Sequence, residues 1–196
     1  MDNKVKLSVL GFSFNQTRTG TYGMVLAEDY GVRRLMVVVG TPEAQSIAFK
    51  LQNSVPPRPL THDLIQAMLV EFRISLIEVN IYKYVDGVFF SRLVLRQWDK
   101  IIDLESRTSD AVGIALRMKA PIYTTEAIMQ EQGIVFEDHS ASEENFKEEE
   151  LDLALDYSLL NEDELKVMLN EAIEGEDYEL ASILRDELDK KKDKGE

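Results

Sequence analysis

The sequence predicts an α+β fold with a mostly antiparallel sheet, followed by an acidic linker and a helical hairpin. Three observations support this prediction. Residues 6–51 align without a gap onto residues 73–118, and apolar positions coincide throughout. Each stretch contains three strand patterns and then one helix pattern, which is typical of an antiparallel α+β unit. The surplus acidic charge is confined to the chain after residue 138.

The first stretch begins with apolar residues at every second position over residues 6–10, as in a half-buried strand. The polar residues 15–20 turn the chain, and further strands are predicted over residues 22–27 and 34–39. A helix then opens at Thr41, which is a good N-cap residue and is followed by a proline suited to the first helical position.

The second stretch repeats this order. Its elements are strands over residues 74–83, 89–95 and 101–104, a turn at residues 86–87, and a helix from Thr108 to Met118. Between the two stretches, three prolines within residues 55–63 hold the chain extended, and Thr61 can cap another helix. A smaller counterpart of that helix follows over residues 125–132. We expect the two units to pack around a pseudo-two-fold axis.

The C-terminal residues predict two helices. Residues 161–164 resemble a capping box, Gly175 can end the first helix, and Asp177 can begin the second. Two such helices bury too little surface to be stable alone, so we expect them to pair with another surface. The predicted organisation is an α+β domain over residues 1–138, an acidic linker over residues 139–160 and a helical hairpin over residues 161–192.

Composition excludes several classes of protein. The chain has 196 residues and no cysteine, which excludes a disulfide scaffold, a thiolate zinc site and a cysteine nucleophile. No apolar run approaches the ~18 residues of a membrane span, and the N-terminal residues start directly with a strand pattern, so we expect a cytoplasmic protein without membrane contact. Residues 1–138 carry 16 acidic and 15 basic side chains, against 20 and 7 afterwards. The net charge of −14 therefore does not exclude a nucleic-acid partner for the first domain.

Two polar segments are candidates for a functional site. His62 and Asp63 stand at a helix start, where they could act as a general base or metal ligand, or could satisfy backbone donors at the helix N-terminus. The second segment, residues 103–110, is the densest polar stretch of the first domain, although the corresponding residues 36–43 are nearly all apolar.

The second segment offers groups for a phosphate and a metal. Arg107 could clamp a phosphate, and Asp103 and Asp110 could hold a divalent ion. Glu43 corresponds to Asp110 in the alignment of the two stretches, and we expect the two to approach each other. The alternative is that Arg107 forms a buried pair with a carboxylate and only fixes the two units against each other.

Several segments together resemble the bifunctional nuclease family over residues 5–135. They are residues 58–64 (RPLTHDL), 89–93 (FFSRL), 102–112 and 115–122. The resemblance implies an α+β domain with DNase and RNase activity. The residues that fall on the family's polar positions are Glu43, Arg58, His62, Asp63, Asp103, Arg107, Ser109 and Asp110. Thr108 departs from the proline that is usual in the family.

A second resemblance concerns the C-terminal hairpin. Residues 176–186, preceded by Leu169 and Ala172, resemble the UVR motif of the excision-repair subunits UvrB and UvrC. The match covers about residues 160–192. It implies that the hairpin mediates association with a protein partner.

These observations predict a nuclease that hydrolyses phosphodiester bonds of single-stranded DNA or RNA. The expected catalytic residues are His62, Asp63, Asp110 and Glu43. The expected substrate contacts are Arg58, Arg107 and Ser109. Mg²⁺ or Mn²⁺ would be held by Asp103, Asp110 and Glu43. We also expect a homodimer. The alternative is a non-catalytic adaptor or regulatory protein that dimerises and recruits a partner through its hairpin.

Overall fold

The computed structural model of the chain describes residues 4–14, 21–135, 157, 162–175 and 177–193. The chain divides into two compact units, which are described separately: Met1–Ser54 with Leu60–Leu155, and Val55–Pro59 with Asp156–Glu196. The predicted turn over residues 15–20 lies outside the described residues, as does the predicted linker apart from Tyr157. The predicted domain boundaries therefore remain predictions.

The first unit contains one eight-stranded sheet, which confirms the predicted α+β fold. The strands are β1 Lys4–Phe14, β2 Thr21–Glu28, β3 Arg33–Gly40, β4 Ile74–Val85, β5 Val88–Gln97, β6 Lys100–Arg107, β7 Ile122–Thr125 and β8 Ile134–Val135. Their order across the sheet is β6-β5-β4-β7-β1-β2-β3-β8. Neighbours are antiparallel except for β4 and β7, which are parallel. The short strands β7 and β8 were not predicted.

Six helices are described. They are α1 Thr41–Leu51, α2 Thr61–Glu71, α3 Thr108–Met118, α4 Glu126–Gln132, α5 Glu162–Glu174 and α6 Tyr178–Asp193. The predicted caps Thr41 and Thr61 are wrong by one residue, because the N-caps are Gly40 and Leu60. At the start of α2, the Asp63 carboxylate accepts the backbone N–H of Leu60 at 2.8 Å. The N–H of the N-cap residue is therefore paired. Within the described residues, no helix is both long and apolar enough to cross a membrane.

The element order β-β-β-α occurs twice with one spacing. The strand β6 and the helix α3 begin and end 67 residues after β3 and α1. The β-bulge between Leu76 and Glu78 in β4 likewise follows the bulge between Val9 and Gly11 in β1 by 67 residues. This recurrence matches the spacing found in the sequence.

The sheet curls until strands from opposite ends of its order meet. Five strands separate β3 from β6 in the order, yet Arg107 at the end of β6 lies 2.8 Å from Glu43, just after β3. Antiparallel strands twist with a fixed hand, and bulges increase that twist, so a sheet of this size closes toward a barrel. The helix α1 follows β3 and the helix α3 follows β6. These two helices pack against each other.

The second unit contains a helical hairpin, as predicted. Its buried side chains are Leu165, Met168 and Ala172 of α5 and Ala181, Leu184 and Leu188 of α6. Asp177 caps α6 by accepting the Leu180 N–H at 3.0 Å. The resemblance of this hairpin to the UVR motif, and a partner for it, remain predictions.

Candidate active site

An open cleft of about 560 Å³ lies where the ends of β3 and β6 meet. Its walls come from β3, the β4–β5 turn, the end of β6 and the first turns of α1 and α3. Gly40, Thr108 and Ser109 bring both helix N-termini into these walls. The N–H groups of a first helical turn are unpaired and carry partial positive charge. Two such termini in one cleft therefore favour an anionic ligand.

Arg107 joins two carboxylates at this cleft. Its Nε donates to Asp110 Oδ2 at 2.7 Å, and its Nη2 donates to Asp110 Oδ1 at 3.0 Å. Nη2 also lies 2.8 Å from Glu43 Oε1. Glu43 and Asp110 therefore share one guanidinium, as the alignment of the two stretches predicted. The Arg107 side chain is 67 % exposed, so the predicted alternative of a buried pair does not hold. Asp110 and then Glu43 raise the pKa of Arg107, which keeps it charged.

His62 lies behind Asp110 rather than in the cleft. Only 4 % of the residue is exposed, and its Nδ1 lies 2.7 Å from Ser46 Oγ. Its Nε2 is 3.4 Å from Asp110 Oδ1, but the described residues give it no hydrogen-bond partner. Burial and then the positive charge of Arg117 lower the pKa of His62, and Asp110 only partly opposes them. The ring is therefore neutral at pH 7.

Arg117 is the centre of a buried network between three helices. Its Nε donates to Asp63 Oδ1 at 2.5 Å, and its Nη2 donates to the carbonyl and hydroxyl of Ser46 at 3.1 and 3.0 Å. Its Nη1 donates to the Gly113 carbonyl at 3.1 Å. Burial would raise the pKa of Asp63, but the bonds from Arg117 and the Leu60 N–H outweigh it and lower the pKa. The network fixes α1, α2 and α3 against one another.

The Ser46 hydroxyl connects this network to His62. Because Ser46 Oγ accepts from Arg117, its own proton is available for His62 Nδ1. That assignment leaves the ring proton on Nε2, which faces Asp110. Gly113 makes room for the ring, since a Cβ at this position would lie 2.9 Å from it.

The start of α3 is held by a separate pair of hydroxyls. Thr108 Oγ1 lies 2.7 Å from Ser91 Oγ and donates to the Phe89 carbonyl at 3.2 Å. Both Ser91 and Thr108 are buried. This pair anchors the first turn of α3 to β5 and so fixes the position of Arg107 and Asp110.

The structure brings four of the eight predicted site residues together. Glu43, Arg107 and Ser109 line the cleft, and Asp110 bonds to Arg107. Of the remaining four, His62, Asp63 and Asp103 lie outside this group in the first unit, and Arg58 belongs to the second unit.

The other four predicted site residues have contacts of their own. His62 and Asp63 belong to the network around Arg117. Asp63 accepts the backbone N–H of Leu60 at the helix start, as the alternative predicted, whereas His62 bonds to the Ser46 hydroxyl. Asp103 is 58 % exposed and lies 4.0 Å from Arg92. Arg58 belongs to the second unit, where its Nε lies 3.7 Å from Glu164.

The donor set for a metal is smaller than predicted. Among the described residues, no group of three His, Asp or Glu side chains could hold a metal ion. Glu43 and Asp110 remain as a pair of carboxylates, whereas Asp103 is separate from them. Mg²⁺ commonly uses one or two carboxylates and completes its shell with water and substrate phosphate, so this pair fits such an ion without Asp103.

Sequence reasoning missed Ser46, Gly113 and Arg117. Ser46 and Gly113 stand 67 residues apart and meet the same imidazole ring, so the alignment of the two stretches held a signal for them. Arg117 follows Asp110 by seven residues, which places both on one face of a helix. No sequence pattern indicates that Arg117 is buried.

The fold and the cleft define a class of protein: a curled α+β domain with an arginine–carboxylate cluster between two helix N-termini. The sequence model of the bifunctional nuclease domain matches residues 24–137. The chain therefore belongs to the bifunctional nuclease domain family.

Two relatives illustrate the family. An uncharacterised protein of Mycobacterium tuberculosis is 40 % identical over 120 residues, which are 61 % of this chain and 71 % of that protein. Bifunctional nuclease 1 of Oryza sativa subsp. japonica is 29 % identical over 164 residues, which are 78 % of this chain and 49 % of the rice protein. The chain thus spans about half the length of the rice protein.

Proposed function

We propose that this protein is a nuclease that hydrolyses phosphodiester bonds of single-stranded DNA or RNA at the cleft between β3 and β6. The observation that carries the proposal is the exposed guanidinium of Arg107 between Glu43 and Asp110, beside two helix N-termini. A guanidinium and helix N–H groups are the donors that bind phosphate oxygens. Membership of the family and the name of the rice relative support the same activity.

Arg107 would hold a non-bridging phosphate oxygen. Its described bonds use Nε and Nη2, which leaves Nη1 for a ligand. The two carboxylates fix the plane of the guanidinium before the substrate arrives, so little orientation is lost on binding.

Glu43 is the better placed of the two carboxylates to act as general base. Both oxygens of Asp110 face Arg107, whereas Glu43 uses Oε1 for Arg107 and keeps Oε2 near Gly40. In the proposed step, water forms a bond to phosphorus while the bond from phosphorus to the leaving oxygen breaks. The proton of the water passes to Glu43, and the leaving oxygen takes a proton from solvent.

His62 would act as a positioning residue, because its burial keeps it from the substrate. Its Nε2–H side faces Asp110, which in turn orients Arg107. Glu43 Oε1 and an Asp110 oxygen would hold Mg²⁺ or Mn²⁺ through lone pairs that Arg107 does not use, so that Glu43 Oε2 stays available as the base. The ion when bound would polarise the phosphoryl group and lower the pKa of the attacking water.

The test is cleavage of single-stranded DNA and RNA by highly purified protein, with and without chelator. We expect Arg107→Ala to lower kcat/KM at least 100-fold, as the loss of a donor to transition-state charge does in other enzymes. Arg107→Lys should recover only part of the activity, since an ammonium lacks the fork geometry. Glu43→Gln should lower kcat through loss of the base. Chelation should abolish cleavage, and added Mg²⁺ or Mn²⁺ should restore it.

The matched control is Arg96→Ala, on β5 about 20 Å from the cleft by strand length, which should cleave like the wild type. If Arg107→Ala and Asp110→Asn also cleave like the wild type, the site assignment is wrong. If the activity separates from the protein on a further column, the nuclease proposal fails and the adaptor alternative gains support.

A further inference from the structure

Three side chains form a row across the outer face of the sheet, at the mouth of the cleft. Lys83 of β4 is opposite Phe90 of β5, and Phe90 is opposite Arg107 of β6. Lys83 Nζ lies 5.3 Å from the centre of the Phe90 ring. Phe90 and Arg107 also line the cleft. One aromatic ring therefore stands between two cations and is continuous with the candidate active site.

A second aromatic–cation pair follows on the same face. The Arg92 guanidinium stacks on the Tyr82 ring, with 3.9 Å between Cζ and the ring centre. Arg92 is two residues after Phe90, or about 7 Å along β5. A β-bulge between Ile81 and Lys83 changes the register at Tyr82. Bulges beside functional sites commonly redirect one side chain in this way.

The fold itself does not require these side chains. At the positions 67 residues earlier, Phe90 corresponds to Gly23, Arg92 to Val25 and Arg107 to Gly40. The strands β2 and β3 also pair antiparallel, in a register shifted by two residues from that of β5 and β6, with glycine and valine at those places. Among the described strands, β5 and β6 therefore carry these side chains, whereas the corresponding strands β2 and β3 do not. The strand β6 is also the one that supplies Arg107.

We propose that Lys83, Phe90, Arg92 and Tyr82 bind the part of a single-stranded nucleic acid that extends from the cleft. This inference rests on the proposed function and extends it. Phe90 would stack one base, Lys83 would hold the adjacent phosphate, and the Arg92–Tyr82 pair would stack the next base. Aromatic stacking combined with cations along the backbone is how single strands are bound with little sequence preference.

Acidic neighbours determine how binding depends on salt. Asp103 lies 4.0 Å from Arg92, and Glu105 is opposite Arg92 in the register. Arg92 therefore adds little net attraction for phosphate, and its contribution is stacking. Arg107 is likewise paired, with Glu43 and Asp110. Lys83 therefore supplies the main net attraction for phosphate in the row, and one such contact gives a slope of about −0.7 for log K against log salt.

The experiment is fluorescence anisotropy of the full chain with a labelled single-stranded 12-nucleotide DNA and RNA carrying non-cleavable linkages. Phe90→Ala should weaken binding about 5- to 150-fold, as the loss of one stacked base does, and leave the salt slope unchanged. Phe90→Trp should restore the affinity. Lys83→Ala should make the salt slope shallower by about 0.7.

Trp98→Ala is the matched control. Trp98 is an exposed aromatic residue with Arg73 6.0 Å from its ring centre, at the opposite end of the β4–β5 pair. It should bind like the wild type. Circular dichroism and thermal unfolding of each variant separate a loss of fold from a loss of contact.

The outcomes distinguish this inference from the function on which it rests. If the wild type cleaves but Phe90→Ala and Lys83→Ala bind as it does, the row is not a nucleic-acid contact and the nuclease proposal stands. If Trp98→Ala weakens binding as much as Phe90→Ala, stacking is unspecific and the inference fails. If the wild type neither binds nor cleaves either oligonucleotide, both proposals fail.

Discussion

At the scale of single residues, His62 shows how burial changes a chemical role. The sequence predicts a general base at His62, because a histidine stands beside an aspartate at a helix start. The structure instead buries the His62 ring behind Asp110. The lowered pKa means that the folded protein resists protonation of His62. The folded state binds fewer protons here than the unfolded chain, so this group destabilises the fold as the pH falls through 6.5.

We therefore predict that the free energy of unfolding decreases between pH 7.5 and 5.5, and that His62→Gln reduces this dependence. One proton contributes at most about 1.4 kcal/mol per pH unit. The lowered pKa of Asp63 changes the free energy of unfolding only below its ordinary value of 3.8, which is outside this pH range. Urea unfolding at three pH values measures the slope, with His139→Gln as the control for the other histidine. An equal slope in wild type and His62→Gln would contradict the assignment.

At the scale of elements, a glycine allows α3 to approach α2. A glycine within a helix is unfavourable by about 1 kcal/mol relative to alanine, so its presence in α3 needs a reason. The reason is contact: a Cβ at Gly113 would lie 2.9 Å from the His62 ring. The ring cannot move aside freely, because Ser46 holds its Nδ1.

We predict that Gly113→Ala destabilises the protein by about 1–3 kcal/mol, the range for overpacking, despite its better helix propensity. In the His62→Ala background the same change should be neutral or stabilising by up to about 1 kcal/mol, because the space is then free. A double-mutant cycle by urea unfolding measures the coupling. Additive effects of the two substitutions would show that the ring and Gly113 do not compete for space.

The helix α3 carries residues of both the candidate active site and the buried network. Its first turn carries Asp110, its middle carries Gly113 and its last turn carries Arg117. Substitutions that displace the first turn of α3 therefore act on the orientation of Arg107 through Asp110. Loss of activity at Arg117 would indicate displaced helices rather than a lost substrate contact.

At the scale of the whole molecule, the distribution of charge decides what the net charge means. The chain carries −14 in total, but residues 1–138 carry only −1. The remaining −13 follows residue 138. Charges separated by more than a Debye length of ~10 Å at 0.1 M salt act weakly on one another. Any repulsion between the acidic C-terminal part and nucleic acid should therefore weaken as the salt concentration rises.

We predict that replacing Glu143, Glu144, Glu148, Glu149 and Glu150 by glutamine tightens oligonucleotide binding by less than about tenfold at 0.01 M salt, where the Debye length is ~30 Å. The difference from the wild type should vanish above 0.1 M. Anisotropy titrations of the full chain across this range measure it. An advantage that persists at high salt would instead mean that these residues contact the site directly.

Much of the fold could be predicted because local rules govern it. Alternating apolar residues mark strands, and β3, β6, α1 and α3 lie within one or a few residues of their predicted bounds. The caps at Gly40 and Leu60 were both missed by one residue. At Leu60 the reason is that Asp63 supplies a contact that local preference does not show. The strands β7 and β8 were missed because four and two residues are too few to show a period.

The sequence by itself determined the α+β class, the 67-residue recurrence, the neutral first domain with an acidic C-terminal part, and Arg107, Glu43 and Asp110 as members of one cluster. Only the tertiary structure decided that His62 and Arg117 are buried, that Asp63 pairs with Arg117, that Asp103 stands apart, and that Lys83 is opposite Phe90 at the cleft. The physical reason is that residue type fixes what a side chain can do. Its exposure and partners depend on how a curled sheet brings distant strands together.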